Sequence, residues 1–163
     1  MLSLILIRHA KSSWKNTELD DIERPLKKRG VKDAIKIGKL LYNREEIPEL
    51  LITSPAERAL STAGIIAAEI GYPQENIIKE ELLYMAGYDD FIRVISRYSA
   101  GKSKIMMVSH NPGITDFVNS ISRAEIDNIP TCGVVRLDFT DAESAVKGLQ
   151  AKLVYFEYPK KLK

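Results

Sequence analysis

Two histidines and two arginines hold most of the chemistry this sequence offers. His9 follows Arg8 at the end of one apolar run, His110 follows Ser109 at the end of another, and Arg58 opens a helical pattern after Ser54-Pro55. Taken singly, each has a plainer explanation as a packed histidine or a solvated arginine. Together they point to an anion. Guanidinium forks match phosphate oxygens, and a neutral imidazole can attack phosphorus to give a phosphohistidine that water then hydrolyses. In that scheme His9 is the nucleophile. Arg8 and Arg58 grip the phosphoryl oxygens, keep His9 unprotonated and steady charge in the transition state, while His110 donates a hydrogen bond.

Competing chemistries fit less well. The sequence has no H-x-H, no H-E-x-x-H and no cysteine pair, and two arginines would repel a cation, so neither a metal nor another cofactor is expected. Ser109 lacks the G-x-S-x-G elbow of a serine hydrolase.

The elements that must position these residues can be read from periodicity. Met1–Ile7 is a continuous apolar run, as expected of a strand covered on both faces. Val31, Ala34, Ile35, Gly38, Leu41 and Tyr42 predict a helix from about Leu26 to Tyr42, and Leu50–Thr53 a second buried strand. A helix then starts near Pro55 and presents Ala59, Ala63, Ile66, Ala67 and Ile70, until Gly71-Tyr72-Pro73 stops it. Asn76–Glu80 reads as a short strand, Phe91–Tyr98 as a helical stripe and Ile105–Val108 as a strong strand. Another helix follows Pro112 through Ile114–Ile121, and the runs Val134–Phe139 and Lys152–Tyr158 are a closing pair of strands.

This alternation predicts an α/β domain with a mainly parallel sheet and an antiparallel edge. In such sheets ligands bind beyond the carboxyl ends of the strands, where Arg8-His9, Ser54 to Arg58 and Ser109-His110 all fall. Two helix starts beside them favour anions.

The whole chain agrees. Its 163 residues suit a single domain spanning 1–163, and 45% hydrophobic with 28% charged residues is ordinary for a globular protein. A net charge of +2 gives no footprint for nucleic acid or a membrane surface. The single Cys132 excludes an intrachain disulfide and fits a reducing compartment. The apolar opening lacks signal-peptide features and no segment approaches transmembrane length, so a cytoplasmic protein is expected.

Three separated segments of this sequence resemble the histidine phosphatase superfamily, which has a phosphoglycerate mutase-like fold, and in particular its small SixA-like phosphohistidine phosphatases. They are Leu6 to Trp14 with Arg24-Pro25-Leu26 and Arg29-Gly30, then Ser54 to Ala59 with Thr62-Ala63, then Val108 to Gly113, with Asp21 in the family's acidic position. The resemblance implies a three-layer α/β/α sandwich and a metal-independent hydrolase. It also implies a phosphorylated nucleophile at His9, with the phosphoryl group bound by Arg8, Arg58 and His110. It leaves one role open. Relatives often carry a glutamate as general acid where Met85 stands, and Glu81, Asp89 and Asp90 read better as capping or surface charges. Without that acid, phosphoramidates are favoured over alkyl phosphates, whose leaving groups need a proton.

Lys11 and Tyr84 are expected at the pocket rim, Lys11 alternatively pairing with Asp20 or Asp21. Trp14 is either a pocket wall or buried against the first helix, and Cys132 is structural. The substrate is expected to be a protein phosphohistidine or a small phosphorylated molecule. The alternatives are a small-molecule phosphomonoesterase or mutase-like enzyme, and a phosphate-binding module without turnover. Nothing in the sequence bears on oligomeric state.

Overall fold

The computed structural model describes residues 1–162. Among these described residues six strands form one sheet: β1 (Leu2–Arg8), β2 (Leu50–Thr53), β3 (Ile78–Lys79), β4 (Lys104–Ser109), β5 (Val134–Phe139) and β6 (Lys152–Glu157). The order across the sheet is β3-β2-β4-β1-β5-β6. Strands β3, β2, β4 and β1 run parallel, whereas β5 lies antiparallel to β1 and β6 antiparallel to β5. The closing pair thus supplies the antiparallel edge.

Helices α1 (Lys28–Asn43) and α2 (Glu57–Ile70) cover one face, and α3 (Tyr88–Tyr98), α4 (Gly113–Ser122) and the short α5 (Ala142–Val146) cover the other. The continuous apolar run of β1 now has its reason. Leu2, Leu4 and Leu6 pack with Phe91, Val94 and Phe117 on one side, while Ile5 and Ile7 pack with Ala34, Ile37 and Ile66 on the other. Each of these strand side chains is fully buried, and each such burial contributes roughly 1.5–3 kcal/mol. No helix among the described residues is long and apolar enough to cross a membrane.

Two boundaries differ from expectation. Helix α1 begins at Lys28 rather than Leu26, because Leu26 makes a bridge with Ser12 while the Ser13 and Lys27 amides donate to the carbonyls of Pro25 and Lys11. The backbone at 25–27 is therefore already committed outside the helix. Strand β3 shrinks to two residues, since the flanking segments are turns at Gln74–Asn76 and Glu81–Leu83.

Close approaches bring loops to the site. A Cβ on Gly30 would lie 2.2 Å from the Lys11 carbonyl oxygen, and one on Gly113 would lie 1.9 Å from the Ala86 carbonyl oxygen. Only glycine lets α1 press on the loop after β1, and α4 on the loop before α3.

Candidate active site

Backbone ladders extend past β1 and fix its last residues. The Arg8 amide donates to the Gly133 carbonyl and the His9 amide to the Ser109 carbonyl, both at 3.0 Å. The Ser54 amide likewise donates to the Val108 carbonyl at 3.0 Å. Three strand ends are thus held in register, and they bring Arg8, His9 and His110 together with Arg58 from the first turn of α2. The four residues line one cavity of about 340 Å3, and the His9 and His110 rings lie 5.1 Å apart. Thr62 ties the parts together: its hydroxyl donates to the Arg58 carbonyl (2.7 Å) and accepts from the Ala10 amide (2.9 Å).

His9 has one ring nitrogen committed and one bare. Its Nδ1 lies 2.7 Å from the Ala10 carbonyl oxygen, which only accepts, so Nδ1 carries the proton and Nε2 keeps its lone pair. Burial lowers its pKa to about 4, with Arg58, Arg8 and Arg24 adding to the effect against the Ala10 hydrogen bond. The direction agrees with the sequence reading, but burial outranks the arginines as its cause. His110 is lowered to about 3, by burial first and then by His9, Arg58 and Arg8. Its Nε2 sits 2.7 Å from the Ser54 hydroxyl.

The cations around the imidazoles have few partners. Arg8 gives one terminal nitrogen to the Ile129 carbonyl at 2.9 Å, and burial lowers its pKa. Arg58 donates to the Asp21 carbonyl (2.7 Å) and to Asp21 Oδ2 (3.0 Å). Arg8 Nε, Arg58 Nε and His110 Nδ1 are buried with no hydrogen-bond partner among the described residues. Buried polar atoms ordinarily find partners. All three orphans, donors or potential donors, belong to residues that line one cavity with His9.

Asp21 is the hub of the opposite wall. It accepts from Arg58, Arg24 and Tyr84, and the Tyr84 hydrogen bond first, then the two arginines, hold its pKa at about 2. Arg24, only 7% exposed, also donates to Ser12 and stacks 3.5 Å over the Trp14 ring. The sequence reading weighed Arg24 only within a motif and gave Ser54 and Thr62 no separate role. Arg24 lies in a stretch without periodicity and Ser54 just before a helix, where burial leaves no mark in the sequence, whereas Thr62 sits among the apolar residues on the packed face of α2.

Rim residues fall into place as well. Lys11 lines the His9 cavity, and Tyr84 lines an adjoining cavity that it shares with Arg58 and His110. Lys11 does not neutralise Asp21, whose salt-bridge partners are Arg24 and Arg58. Trp14 is not buried against α1: it is 69% exposed and lines the His9 cavity. Asp90 caps α3 by accepting from the Gly87 amide, and Met85 stands 81% exposed. Cys132 is buried, with its thiol pKa pushed up, and its amide donates to both the Arg8 and His9 carbonyls.

Fold and site together define an α/β protein with two histidines and three arginines lining one cavity at the carboxyl ends of its strands. The histidine phosphatase superfamily (branch 1) model matches residues 4–84. An uncharacterized chloroplastic protein of Arabidopsis thaliana is 33% identical over 142 residues, 82% of this chain and 65% of that protein. Phosphoglycerate mutase 1 of Saccharomyces cerevisiae is 36% identical over 67 residues, 40% of this chain and 27% of the mutase. The chain thus spans about two thirds of the first of these relatives and about a quarter of the second. Among solved structures, the protein histidine phosphatase SixA complexed with tungstate superposes with a TM-score of 0.86 at 17% identity, over 99% of this chain and 100% of that one. The chain belongs to the histidine phosphatase superfamily.

Proposed function

We propose that this chain is a single-domain, cytoplasmic, metal-independent phosphatase that acts on protein phosphohistidine or a similar phosphoramidate through a phosphohistidine at His9. The observation that carries it is the gathering of Arg8, Arg58 and His110 about one cavity with His9, whose Nδ1 is already hydrogen-bonded, while Arg8 Nε, Arg58 Nε and His110 Nδ1 have no partner among the described residues. Such preorganised donors are suited to charge on equatorial phosphoryl oxygens.

In the first step His9 Nε2 forms a bond to phosphorus as the bond from phosphorus to the leaving nitrogen breaks. The departing imidazole takes its proton from solvent. Water then attacks phosphorus, the Nε2–P bond breaks, and inorganic phosphate leaves with His9 neutral again. We assign His110 the tautomer in which the Ser54 hydroxyl donates to Nε2, so that Nδ1–H is free to donate to the phosphoryl group. Asp21 cannot serve as the acid, because its carboxylate is held ionised at a pKa of about 2. An ionised Asp21 and a methionine at position 85 suit a nitrogen leaving group that takes its proton from solvent, and the lone cysteine suits a reducing compartment.

One observation favours a second reading. Asp116, exposed in the first turn of α4, lines the Tyr84 cavity with His110, where a carboxylic acid could protonate an alkoxide. That would make the chain a small-molecule phosphomonoesterase or mutase-like enzyme. Incubation with a labelled phosphodonor should place an acid-labile phosphoryl group on His9 in the presence of EDTA, and His9→Ala should show neither label nor turnover. Binding without labelling would leave a phosphate-recognition module. Faster turnover of alkyl phosphates than of phosphohistidine, lost in Asp116→Asn, would establish the phosphomonoesterase instead.

A further inference from the structure

Next to the His9 cavity lies a second one of about 260 Å3, and Lys11 and Thr131 line both. Its remaining walls come from Arg29 and Asp33 on α1 and from Tyr158 and Lys160 at the C-terminal turn. Three cations therefore face one carboxylate, and that carboxylate is already paired with Arg29 at 3.4 Å. Lys11 and Lys160 have no salt-bridge partner among the described residues, and Lys27 adds a further cation on the His9 side.

The two walls of this groove are fixed in place. Lys11 is clamped by the Lys27 amide, which donates to its carbonyl at 2.9 Å, and by the close approach of Gly30. The C-terminal turn is held against α1 by Lys36, whose ammonium donates to the carbonyls of Pro159 (3.1 Å) and Leu162 (2.8 Å). A positive groove with defined sides runs on from the phosphoryl site.

We infer that this groove receives an acidic side chain of the polypeptide that bears the phosphoryl group, and so selects phosphoproteins with aspartate or glutamate near the phosphorylated residue. The inference rests on the phosphatase reading above and extends it to substrate choice. A polypeptide is favoured over a small metabolite by the apolar surface around the mouth. Trp14 is 69% exposed on the His9 cavity and Met85 is 81% exposed on the Tyr84 cavity. An extended chain would cover such surface, and a compact polar molecule would not.

The test compares two phosphohistidine peptides, identical except for acidic or neutral residues flanking the phosphohistidine. The intact chain should turn over the acidic peptide with roughly tenfold higher kcat/KM at low salt, and the advantage should shrink toward about 0.5 M salt as screening shortens. Lys160→Glu, which lies outside the His9 cavity, should abolish that advantage through KM, leaving kcat and the neutral peptide unaffected. Equal rates on the two peptides with good turnover would overturn the groove while leaving the phosphatase reading intact. No selectivity between peptides, combined with a Lys160-dependent preference for a small diphosphorylated molecule over its monophosphate, would overturn the polypeptide assignment. If neither peptide is hydrolysed, the phosphatase reading fails. The groove is then judged by Trp14 fluorescence titration of His9→Ala chain with the same two peptides, where equal affinity overturns it.

Discussion

Two charged clusters occupy opposite ends of the sheet, and they are built on opposite rules. At the amino ends of β1 and β4, Glu46 is 1% exposed and accepts from Lys104 (2.6 Å), Tyr155 (2.7 Å) and Arg136 (3.1 Å). Arg136 also donates to Asp138 (2.9 Å), and Ser3 closes the ring. Two cations meet two carboxylates. Burial works to raise the Glu46 pKa, but Lys104, Tyr155 and Arg136 outweigh it and hold it low. At the carboxyl ends, Arg24 and Arg58 share one carboxylate, Asp21, Arg8 has no carboxylate partner among the described residues, and three buried polar atoms are left unpaired. A satisfied cluster stabilises the fold and binds nothing further. An unsatisfied one costs stability and is suited to an anion.

The comparison breaks most sharply at Arg58. Arg58→Ala should lower kcat/KM by on the order of 100-fold or more, as for loss of a preorganised donor, while the urea midpoint stays level or rises. Normal kinetics in that variant would remove Arg58 from the site. Glu46→Ala should do the reverse. It should cost about 2 kcal/mol in urea unfolding, below the 3–5 of a fully buried pair, because Lys104 and Arg136 keep 22% side-chain exposure. Its kcat should be unchanged, and a large loss of kcat would couple the two ends of the sheet.

A further effect concerns acid. His9 and His110 titrate at about 4 and about 3 in the fold, below the ordinary 6.5. Between about 6.5 and those values the unfolded chain binds protons that the folded chain refuses. Stability therefore falls as pH drops through that window and is level above it. The double variant His9→Asn, His110→Asn should flatten that slope when urea midpoints are followed from neutral pH down to about 4. An unchanged slope would mean that neither imidazole is held neutral by the fold.

The strand ends were legible because β1 and β4 are apolar runs that stop abruptly at Arg8-His9 and Ser109-His110. Helix faces were legible wherever one side packs, as with Ala59, Ala63 and Ile66 on α2. What escaped the sequence was partnership across the chain. Arg24 and Asp21 lie in a polar stretch without period, and the burial of Arg24 and the partners of Asp21 depend on Ser12, Trp14, Arg58 and Tyr84 arriving from elsewhere. The Glu46 cluster joins residues 58, 90 and 109 positions apart, and no local pattern encodes such distances. Trp14 escaped for the converse reason: its arginine partner holds it at the surface, where apolarity alone would bury it.

The bond between His9 and the Ala10 carbonyl has a consequence for how this chain tolerates change. Many imidazole bases depend on a carboxylate residue to choose which nitrogen stays bare, and a single codon change can destroy that choice. Here the choice is made by a main-chain oxygen that every amino acid supplies. Substitution at position 10 can disturb packing, but it cannot delete the acceptor. The orientation of the imidazole is inherited from the path of the first strand.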